Sequence, residues 1–377
     1  MDKFGFIVHP ISIESFYDFL WFWSKFAKIL PKETVKNIML KFRPYRLCSF
    51  NKIRSSSGPI ISGEIVALPL LPVQIASIIK ERVLDLIEEA IRVCEKRGAK
   101  IVGLGGFTSV VGNEGEVLSK RVDVPLTSGN TLTAALALEG IYKAVRLMDI
   151  SLPASTAAII GATGDIGSIC TKILSKKVKQ LNIAARNEGK LQKFANLITN
   201  YGKAKVKIFK YTKDAVLDAD IVLTATSAVT TVIDPVHLKP GAVVCDIAMP
   251  ADIAREITQI RDDILVFEGG LARIAHMEDI KSKELAHIVP AKGVFGCVAE
   301  TMALTFENKF EPYSIGRGNI TEEKIEEIKT IAARHGIVLS DFFCGYKFFT
   351  EKEIENIKKN AVKNRKKNKC SSKTKSQ

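Results

Sequence analysis

The sequence predicts an α/β protein of two domains, one of which contains a doubly wound parallel sheet. Its 377 residues exceed the length of about 250–300 residues at which one hydrophobic core usually stops growing. Between residues 156 and 267, apolar runs of strand length alternate with amphipathic runs of helix length, which is typical of a parallel sheet with helices on both faces. The hydrophobic share of 46% and the charged share of 25% are those of a globular protein.

The net charge of the chain is +14, and half of it lies near the C-terminus. Residues 351–377 contain ten Lys or Arg and three Glu, so this segment contributes ten minus three, or +7. A basic protein suits an acidic partner or an anionic surface. We expect no nucleic acid as a partner, because no basic and aromatic recognition motif accompanies the charge.

The seven cysteines stand apart from one another, at positions 48, 94, 170, 245, 297, 344 and 370. Because none belongs to a C-x-x-C pair, the sequence indicates neither a zinc site nor a disulfide framework. The five histidines are equally dispersed, so no metal site is predicted. No secretory signal is recognisable, and we expect a cytoplasmic protein.

The N-terminal region predicts a strand at 4–8 and an aromatic helix at 16–30. Phe16, Leu20 and Trp23 lie on one helical stripe, and six Lys or Arg follow between residues 25 and 43. One interpretation is a core helix. The other is contact of residues 16–43 with a membrane surface, or the wall of an apolar substrate tunnel. The run is too short to span a bilayer, which takes about 20 apolar residues.

A strand at 60–71 and a helix at 75–96, ended by Gly98, precede two strands that run into small and hydroxyl residues. The strands are placed at 101–104 and 122–126, and a helix follows the second at 132–148. Ligands of α/β proteins usually bind at such carboxyl ends, although helix capping is the alternative. The second loop has more polar groups than capping needs, which favours ligand binding. The candidates are Gly106, Thr108 and Ser109, then Ser128, Gly129, Asn130 and Thr131.

Residues 156–167 predict a site for the phosphates of a dinucleotide. An apolar strand at 156–160 leads into glycines spaced G-x-x-G-x-x-G, and helical spacing follows. Glycine permits the tight turn and a close approach of the backbone, while the free N–H groups and the helix dipole receive a pyrophosphate. The candidate residues of this turn are Gly161, Thr163, Gly164, Asp165, Ile166 and Gly167.

A strand at 181–185 is followed at once by Arg186, about 20 residues after the glycine turn. Dinucleotide folds contact the adenosine ribose at this position. An acid there favours NAD, whereas Arg accommodates a 2′-phosphate, so the predicted cofactor is NADPH. Arg186, Asn187, Ala225 and Thr226 are its further candidate ligands. A Rossmann-type sheet of six strands is completed by helices at 214–217 and 252–257 and by strands at 206–209, 220–226, 242–247 and 264–267.

Cys297 follows a glycine and opens a helix. A helix N-terminus stabilises a thiolate and can lower a cysteine pKa from about 8.5 by one unit or more. Glu300, one turn later, opposes this effect if it is charged and close. The alternative is a small buried core thiol, which is also our interpretation of Cys94, Cys170 and Cys245.

The remaining pattern sets the domain organisation. An amphipathic helix is predicted at 322–333, and a basic, disordered tail at 347–377, because that segment is rich in Lys and Asn and poor in apolar residues. Residues 1–150 form the first part of a substrate domain and residues 151–290 the cofactor domain. Residues 291–346 return to the substrate domain with the Cys297 helix.

Several motifs resemble those of the long-chain acyl-[acyl-carrier-protein] reductases of cyanobacteria. They are FGFIVHPIS near the start, GGFTSVV at 105–111, TSGNTLTAA at 127–135, GATGDIGS at 161–168, ARN at 185–187 and FGCVAETMALTFE at 295–307. The resemblance implies reduction of a fatty acyl thioester to an aldehyde with NADPH, through an acyl group bound to Cys297, the position of the family's nucleophile. It also implies acidic acyl carrier protein, or coenzyme A, as the carrier of the substrate.

Two alternatives remain open. The first is an alcohol dehydrogenase of the shikimate dehydrogenase type, which shares the two-domain layout but transfers hydride with a Lys/Asp pair. The second is a non-catalytic nucleotide-binding protein that associates with membranes through residues 16–43 or the basic tail. The aromatic helix, the tail and Leu132, which replaces a His of the family's TTGNTHTA motif, depart from the family pattern.

Overall fold

The computed structural model of the protein describes residues 1–20, 24–254, 256–280, 293–345 and 347–374. The side chains of residue 26 and of residues 367–374 are outside this description. The chain forms two compact units, each made of two segments. Unit 1 comprises Met1–Ala135 and Leu271–Ser340, and unit 2 comprises Leu136–Gly270 and Asp341–Gln377.

The elements of the described residues are numbered in chain order. The strands are β1 (Asp2–Val8), β2 (Tyr45–Arg54), β3 (Ile60–Ala67), β4 (Ile101–Leu104), β5 (Leu126–Thr127), β6 (Thr156–Ile160), β7 (Gln180–Ala184), β8 (Lys205–Ile208), β9 (Ile221–Thr224), β10 (Val243–Asp246), β11 (Leu265–Glu268), β12 (Leu271–Arg273), β13 (Val294–Phe295), β14 (Val338–Leu339), β15 (Phe343–Cys344) and β16 (Lys347–Phe348). The helices are α1 (Ile13–Phe19), α2 (Ser24–Ala27), α3 (Lys32–Met39), α4 (Pro72–Ser77), α5 (Lys80–Lys96), α6 (Phe107–Val110), α7 (Glu116–Ser119), α8 (Asn130–Leu147), α9 (Asp165–Ser175), α10 (Glu188–Tyr201), α11 (Thr212–Val216), α12 (Ile257–Ile260), α13 (Gly296–Phe306), α14 (Glu322–Arg334) and α15 (Glu351–Thr374).

Unit 1 is built on a sheet with the strand order β2-β3-β1-β4-β5 in the described part of the chain. β2 runs antiparallel to β3, and the other neighbours are parallel. Successive strand residues point to opposite faces, so two glycines admit helices on the two sides. A Cβ on Gly5 would lie 2.5 Å from the Cβ of Cys94 on α5. A Cβ on Gly103, the partner of Phe6, would lie 2.2 Å from Thr301 Oγ1 on α13.

Unit 2 contains the predicted doubly wound sheet, and that prediction is confirmed. Among the described residues its strand order is β11-β10-β9-β6-β7-β8, with parallel pairing throughout. Each of the six strands lies within two residues of its predicted position at either end. The order reverses between β6 and β9, and ligands of such folds bind beyond the carboxyl ends of the strands at this reversal.

Several predicted elements of unit 1 need correction. β2 was not foreseen, because its exposed Arg46, Asn51 and Lys52 break the apolar alternation of this edge strand. The predicted helix at 75–96 is divided into α4 and α5, since Ile78 and Ile79 are extended. The predicted strand at 122–126 is reduced to β5.

One predicted helix of unit 2 also needs correction. Residues 252–254 are not helical, and α12 begins only at Ile257.

The predicted aromatic helix at 16–30 is not one continuous element. α1 begins earlier, at Ile13, because Ser12 caps it, and Phe16 and Phe19 are buried as the core interpretation requires. Residues 21–23, which include Trp23, lie outside the described residues. α2 ends at Ala27, and Ile29 beyond it is 80% exposed, so the helix does not continue to residue 30 as predicted.

The C-terminal segment is helical, and the prediction of a disordered tail is wrong. Asn364 Nδ2 donates to Asp263 Oδ2 at 2.9 Å, and Arg365 Nε donates to the carbonyl of Pro240 at 2.7 Å. The low apolar content of this segment suggested disorder, but three of its few apolar residues recur at helical spacing. They are buried and anchor α15 in unit 2. The buried residues are Ile354, Ile357 and Ala361.

The unit boundaries also differ from the predicted positions. Unit 1 gives way to unit 2 after Ala135 and not after residue 150, inside α8, which runs unbroken from Asn130 to Leu147. The chain re-enters unit 1 at Leu271, because β12 pairs with β13 and β14. The predicted return at residues 290–291 lies outside the described residues.

Candidate functional site

Cys297 is the second residue of α13 and lies at the carboxyl edge of the sheet in unit 1. α13 packs against β1, β4 and β5. Gly129, two residues after β5, contacts Cys297 directly, because a Cβ on this glycine would lie 2.1 Å from the Cα and 2.3 Å from the Cβ of Cys297. Gly129 also has a φ of +73°, which disfavours any side chain. The fold therefore brings the predicted nucleophile and the predicted loop at 127–131 together.

The thiol of Cys297 does not have the low pKa that its place in the helix predicts. Burial raises its pKa to about 12, and the carboxyl of Glu300 adds to the rise. The backbone N–H groups of Val298 and of Cys297 itself lower the pKa. The helix effect alone would lower the pKa, but loss of hydration destabilises the thiolate more than two helix N–H groups stabilise it. The residue itself remains partly exposed.

Glu300 is fully buried one turn after Cys297. Its Oε1 accepts hydrogen bonds from Thr127 Oγ1 at 2.5 Å and from Ser314 Oγ at 2.7 Å. Its Oε2 accepts a bond from the backbone N–H of Leu132 at 2.7 Å. Burial raises the pKa of this carboxyl, and the hydrogen bonds oppose the rise. Glu300 therefore fastens the first turns of α13 to β5 and to the start of α8.

The polar side chains of the loop at 127–131 bond inside unit 1. Ser128 Oγ donates to the carbonyl of Ser314 at 2.5 Å, and Thr131 Oγ1 lies 2.5 Å from Ser314 Oγ. Asn130 Nδ2 donates to Glu114 Oε2 at 3.1 Å and remains half-buried. The surplus hydroxyls thus hold Ser314, which has a φ of +53°. A role in ligand binding stays a prediction for these residues.

The loop after β4 is held by His9, which the sequence did not single out. The backbone N–H of Phe107 donates to His9 Nε2 at 3.1 Å, and His9 Nδ1 donates to the carbonyl of Pro10 at 3.2 Å. Burial lowers the pKa of His9 to about 4, so the ring is neutral. Gly106, with a φ of +57°, leaves room for the ring, since a Cβ there would lie 2.8 Å from Nε2. The available signal was a histidine directly after a strand.

The two hydroxyls of that loop bond locally. Thr108 Oγ1 donates to the carbonyl of Gly105, and Ser109 Oγ donates to the carbonyl of Gly106, each at 2.9 Å. Both side chains are buried. Neither hydroxyl caps α6, because its N-cap residue is Gly106 and no side chain accepts a cap hydrogen bond there. Binding of a ligand by these hydroxyls stays a prediction.

The glycine turn of unit 2 packs so tightly against its own backbone that side chains at Gly161 and Gly167 have no room. Gly161 has a φ of +85°, and a Cβ on it would lie 2.4 Å from the carbonyl oxygen of Ala225. A Cβ on Gly167 would lie 2.3 Å from the carbonyl oxygen of Gly161, and Gly164 immediately precedes α9. The residues present therefore fit a dinucleotide, with the helix N-terminus facing its phosphates. The other candidates of this turn are the half-buried Thr163 and Ile166 and the buried Asp165.

Arg186 is exposed directly beyond β7, and its Nη2 donates to Ser227 Oγ at 3.0 Å. This links the end of β7 to the segment after β9, where Ser227 was not among the candidates. Asn187 caps α10 by accepting a bond from the backbone N–H of Lys190 at 2.8 Å. Its predicted contact with the cofactor stays a prediction.

A buried aspartate that the sequence did not single out shapes the segment after β9. Asp252 Oδ1 accepts a bond from Thr226 Oγ1 at 2.5 Å, and its Oδ2 accepts one from Thr224 Oγ1. Burial raises the pKa of Asp252 and raises that of the nearby Asp246 well above its usual value. Asp252 therefore fixes the backbone around Ala225, whose carbonyl faces Gly161.

Three cysteines are core residues, as predicted. Cys94, Cys170 and Cys245 have no exposed surface, and burial raises the pKa of the first two to about 12. Among the described residues, His, Cys, Asp and Glu nowhere gather in threes that could hold a metal ion. Within the same residues, no helix is both long and apolar enough to cross a bilayer.

Comparison with known proteins relates three quarters of the chain to one reductase and most of unit 2 to a dehydrogenase family. The family model of shikimate/quinate 5-dehydrogenase matches residues 143–268, which lie within unit 2. The long-chain acyl-[acyl-carrier-protein] reductase of Synechococcus elongatus is 32% identical over 299 residues, which are 75% of this chain and 84% of that protein. These matches support a nucleotide-binding unit of the NAD(P) dehydrogenase type.

Two further matches are broader in coverage but less informative. Aminotransferase PigE of Serratia sp. is 30% identical over 344 residues, which are 89% of this chain but only 39% of PigE. The chain thus spans less than half the length of that relative. The solved structure of L-tryptophan dehydrogenase from Nostoc punctiforme matches with a TM-score of 0.39 at 13% identity, covering 96% of this chain and 89% of that one. A score at this level carries no argument about function.

Proposed function

Because the chain belongs to the family of the long-chain acyl-[acyl-carrier-protein] reductases, we propose that it reduces a long-chain fatty acyl thioester to the fatty aldehyde. Cys297 is the nucleophile, and NADPH is the reductant. The observation that carries this proposal is the contact of Cys297 with Gly129 at the start of α13. This contact brings the thiol of a partly exposed residue, two backbone N–H groups and the loop at 127–131 together in unit 1.

The first step transfers the acyl group to the enzyme. The sulfur of Cys297 attacks the carbonyl carbon of the substrate thioester, a new C–S bond forms, and the bond to the carrier sulfur breaks. The proton of the Cys297 thiol leaves with the carrier thiol, so the step is balanced without an added base. Because the pKa is about 12, proton transfer must accompany the attack. The N–H groups at the start of α13 stabilise the charge that develops there.

The residues of unit 2 fit the reductant. When bound, NADPH supplies the hydride that converts the Cys297 thioester to the aldehyde. Gly161 and Gly167 allow the tight strand-turn-helix packing that would bring the N-terminus of α9 to the pyrophosphate, and Arg186 with Ser227 would hold the 2′-phosphate. After reduction, the thiolate of Cys297 takes up a proton and the free enzyme is restored.

Cofactor preference tests the role of Arg186. Removing one charge-assisted phosphate contact costs about 1.5–3 kcal/mol, or roughly 10–150-fold in affinity. The R186A variant should therefore raise the KM for NADPH by at least about tenfold and leave the KM for NADH unchanged. Equal losses with both cofactors would contradict a contact to the 2′-phosphate.

The net positive charge of the chain bears on which molecule carries the acyl group. Acyl carrier protein is acidic, and this chain has a net charge of +14, so we propose it as the partner in preference to coenzyme A. The rate with acyl carrier protein should then fall as salt screens the attraction, and the rate with acyl-CoA should fall much less.

The test of the activity is direct. Long-chain acyl-acyl carrier protein and acyl-CoA are each incubated with the enzyme, and NADPH consumption and aldehyde are measured. Without NADPH, mass spectrometry should find the acyl group on the peptide of Cys297, and the C297A variant should carry none. Aldehyde formation by the C297S variant at the wild-type rate would refute the covalent mechanism.

A second candidate is a dehydrogenase of ring hydroxy acids. The match of unit 2 to the shikimate/quinate family model favours it. Oxidation of shikimate or quinate with NADP⁺, unchanged in the C297A variant, would support this candidate against the acyl reductase.

We also propose that the protein is cytoplasmic and touches membranes through residues 28–43. Ile29 is 80% exposed and Phe42 is 39% exposed, beside lysines that suit anionic lipid. The variant I29S should lose binding to anionic vesicles, whereas V236S, at a valine of unit 2 that is 72% exposed, should bind as the wild type does. Equal binding of both variants would refute this contact.

A further inference from the structure

We propose that Ser57 is a second nucleophile of unit 1, activated by His335 and Glu307, and that it accepts acyl groups from activated esters. The three side chains belong to the turn between β2 and β3, the end of α14 and the end of α13. This inference is independent of the proposed acyl reductase activity, because it uses neither Cys297 nor the glycine turn of unit 2.

The first step of the argument fixes the proton of the His335 ring. His335 Nε2 lies 2.8 Å from Glu307 Oε2. The hydrogen bond from His335 is the largest cause that lowers the pKa of Glu307, so this carboxylate is ionised and can only accept. Nε2 therefore donates to this carboxylate, which leaves Nδ1 as the nitrogen that can accept a proton.

The second step concerns what faces Nδ1. Ser57 Oγ lies 3.0 Å from His335 Nδ1 and Ser55 Oγ lies 2.9 Å from it, while the two hydroxyl oxygens are 2.9 Å apart. One hydroxyl donates to Nδ1 and the other donates to the first hydroxyl. In either arrangement, the proton of Ser57 reaches Nδ1 directly or through one hydroxyl.

The histidine is held in place on all sides. Its ring is 4% exposed and stacks on Phe306, with 5.1 Å between ring centroids and 22° between planes. Its carbonyl accepts a bond from the backbone N–H of Ser56 at 3.3 Å. Arg334 Nη1 bonds the other oxygen of Glu307 and so fixes that carboxylate. A base held in this way loses little entropy when it takes a proton.

The two serines differ in their exposure to solvent. Ser57 is exposed, whereas Ser55 is 6% exposed. The next residue, Gly58, has a φ of +107°, and a Cβ on it would meet no atom within 4 Å. An acyl donor can therefore approach Ser57 from solvent. An accessible hydroxyl, a base within hydrogen-bond reach and a carboxylate that orients the base are together the parts of an activated serine.

The reaction is an acyl transfer. Ser57 Oγ attacks the ester carbonyl, its proton passes to His335 Nδ1, and the alkoxide or phenoxide leaves with that proton. An ester of Ser57 results. Water then attacks its carbonyl carbon and gives a proton to His335 Nδ1, the bond to Ser57 Oγ breaks, Oγ takes up that proton, and the carboxylic acid leaves. Activated esters are the substrate class, because their leaving groups need little stabilisation of the developing charge.

The experiment uses the full chain with Cys297→Ala, so that the thiol proposed as nucleophile of the reductase cannot accept the acyl group. A fluorophosphonate probe and p-nitrophenyl acetate are added, and labelled peptides are identified by mass spectrometry. We expect label on Ser57 and p-nitrophenol release at least tenfold above that of the S57A variant. The matched control is S56A, because Ser56 Oγ is exposed and bonds the carbonyl of Arg334 and not the histidine.

Further variants separate activation from simple exposure. E307Q should lower labelling of Ser57 at least tenfold, and S55A should leave it unchanged or raise it, because Ser57 then donates to His335 alone. Circular dichroism of each variant verifies folding, and S57A and S56A, at exposed positions, test the proposal even if E307Q unfolds. No label on Ser57, or equal ester hydrolysis by S57A and S56A, would overturn it.

Discussion

The pH dependence of Cys297 alkylation gives the most direct measure of the candidate site. The perturbation is pH itself, because only the thiolate reacts with iodoacetamide. Burial raises the pKa of this thiol to about 12, with Glu300 contributing in the same direction. The rate should therefore follow the small thiolate fraction over the whole accessible pH range.

The magnitude follows from two pKa values. A cysteine with an ordinary pKa of about 8.5 is roughly one-quarter ionised at pH 8. With the pKa at about 12, the ionised fraction of Cys297 at pH 8 is about one part in ten thousand, so its alkylation should be slower by about three orders of magnitude. Each unit of pH should then raise the rate about tenfold up to pH 11.

The assay follows peptides by mass spectrometry after quenched alkylation. Cys48, which is also half-buried, serves as the internal reference within the same chain. A rate for Cys297 that levels off near pH 9 would refute the reasoning, because a thiol that is merely hard to reach still shows an ordinary titration. The continuing slope separates a raised pKa from steric protection.

Substitution of Glu300 checks the cause of the raised pKa. The E300Q variant removes a carboxyl that raises the pKa of Cys297, so the alkylation profile should move to lower pH. The matched control is E307Q, which makes the same change at the other end of α13. If the two variants show the same profile as the wild type, the carboxyl of Glu300 does not act on the thiol.

The remaining predictions concern glycines and a buried acid. Gly129→Ala should destabilise the protein by about 1–3 kcal/mol more than Gly98→Ala in urea unfolding. Both have positive φ, but only Gly129 has atoms within 4 Å of its Cβ position; equal losses would show that strain alone matters. Gly167→Ala should weaken NADPH binding at least tenfold by fluorescence titration, whereas Gly189→Ala, with its nearest atom at 3.6 Å, should not. Because burial raises the pKa of Glu300 above 4.5, its stabilising effect is complete below that pH and is lost as the pH rises through the folded-state pKa. E300Q should therefore gain stability relative to the wild type as the pH is raised above 4.5 in thermal unfolding, and a constant difference would contradict this.

Local signals along the chain determined most of unit 2. Buried parallel strands are continuous apolar runs, so β6 to β11 were visible as short segments between helical patterns. The glycine turn was equally visible, because Gly161 and Gly167 are required by contacts within one strand-turn-helix segment and the adjoining strand. The exposed position of Arg186 followed from its place directly after β7.

The predictions were wrong for α15 and β2, where a few buried apolar residues stand among many charged or polar ones. The composition of residues 347–377 suggested disorder, yet three apolar residues at helical spacing outweigh the lysines and anchor α15. β2 was missed because an edge strand needs few buried residues, and residues such as Lys52 on it face solvent.

The sequence by itself determined the class of the fold, the cofactor turn and the identity of Cys297 as a candidate, because each is written in neighbouring residues. Only the tertiary structure decided the pKa of that thiol, since desolvation depends on what packs around it and not on the helix that carries it. The same holds for the clusters of Glu300 with Ser314 and of Ser57 with His335. Their members are far apart in the chain, and only packing brings them within hydrogen-bond distance.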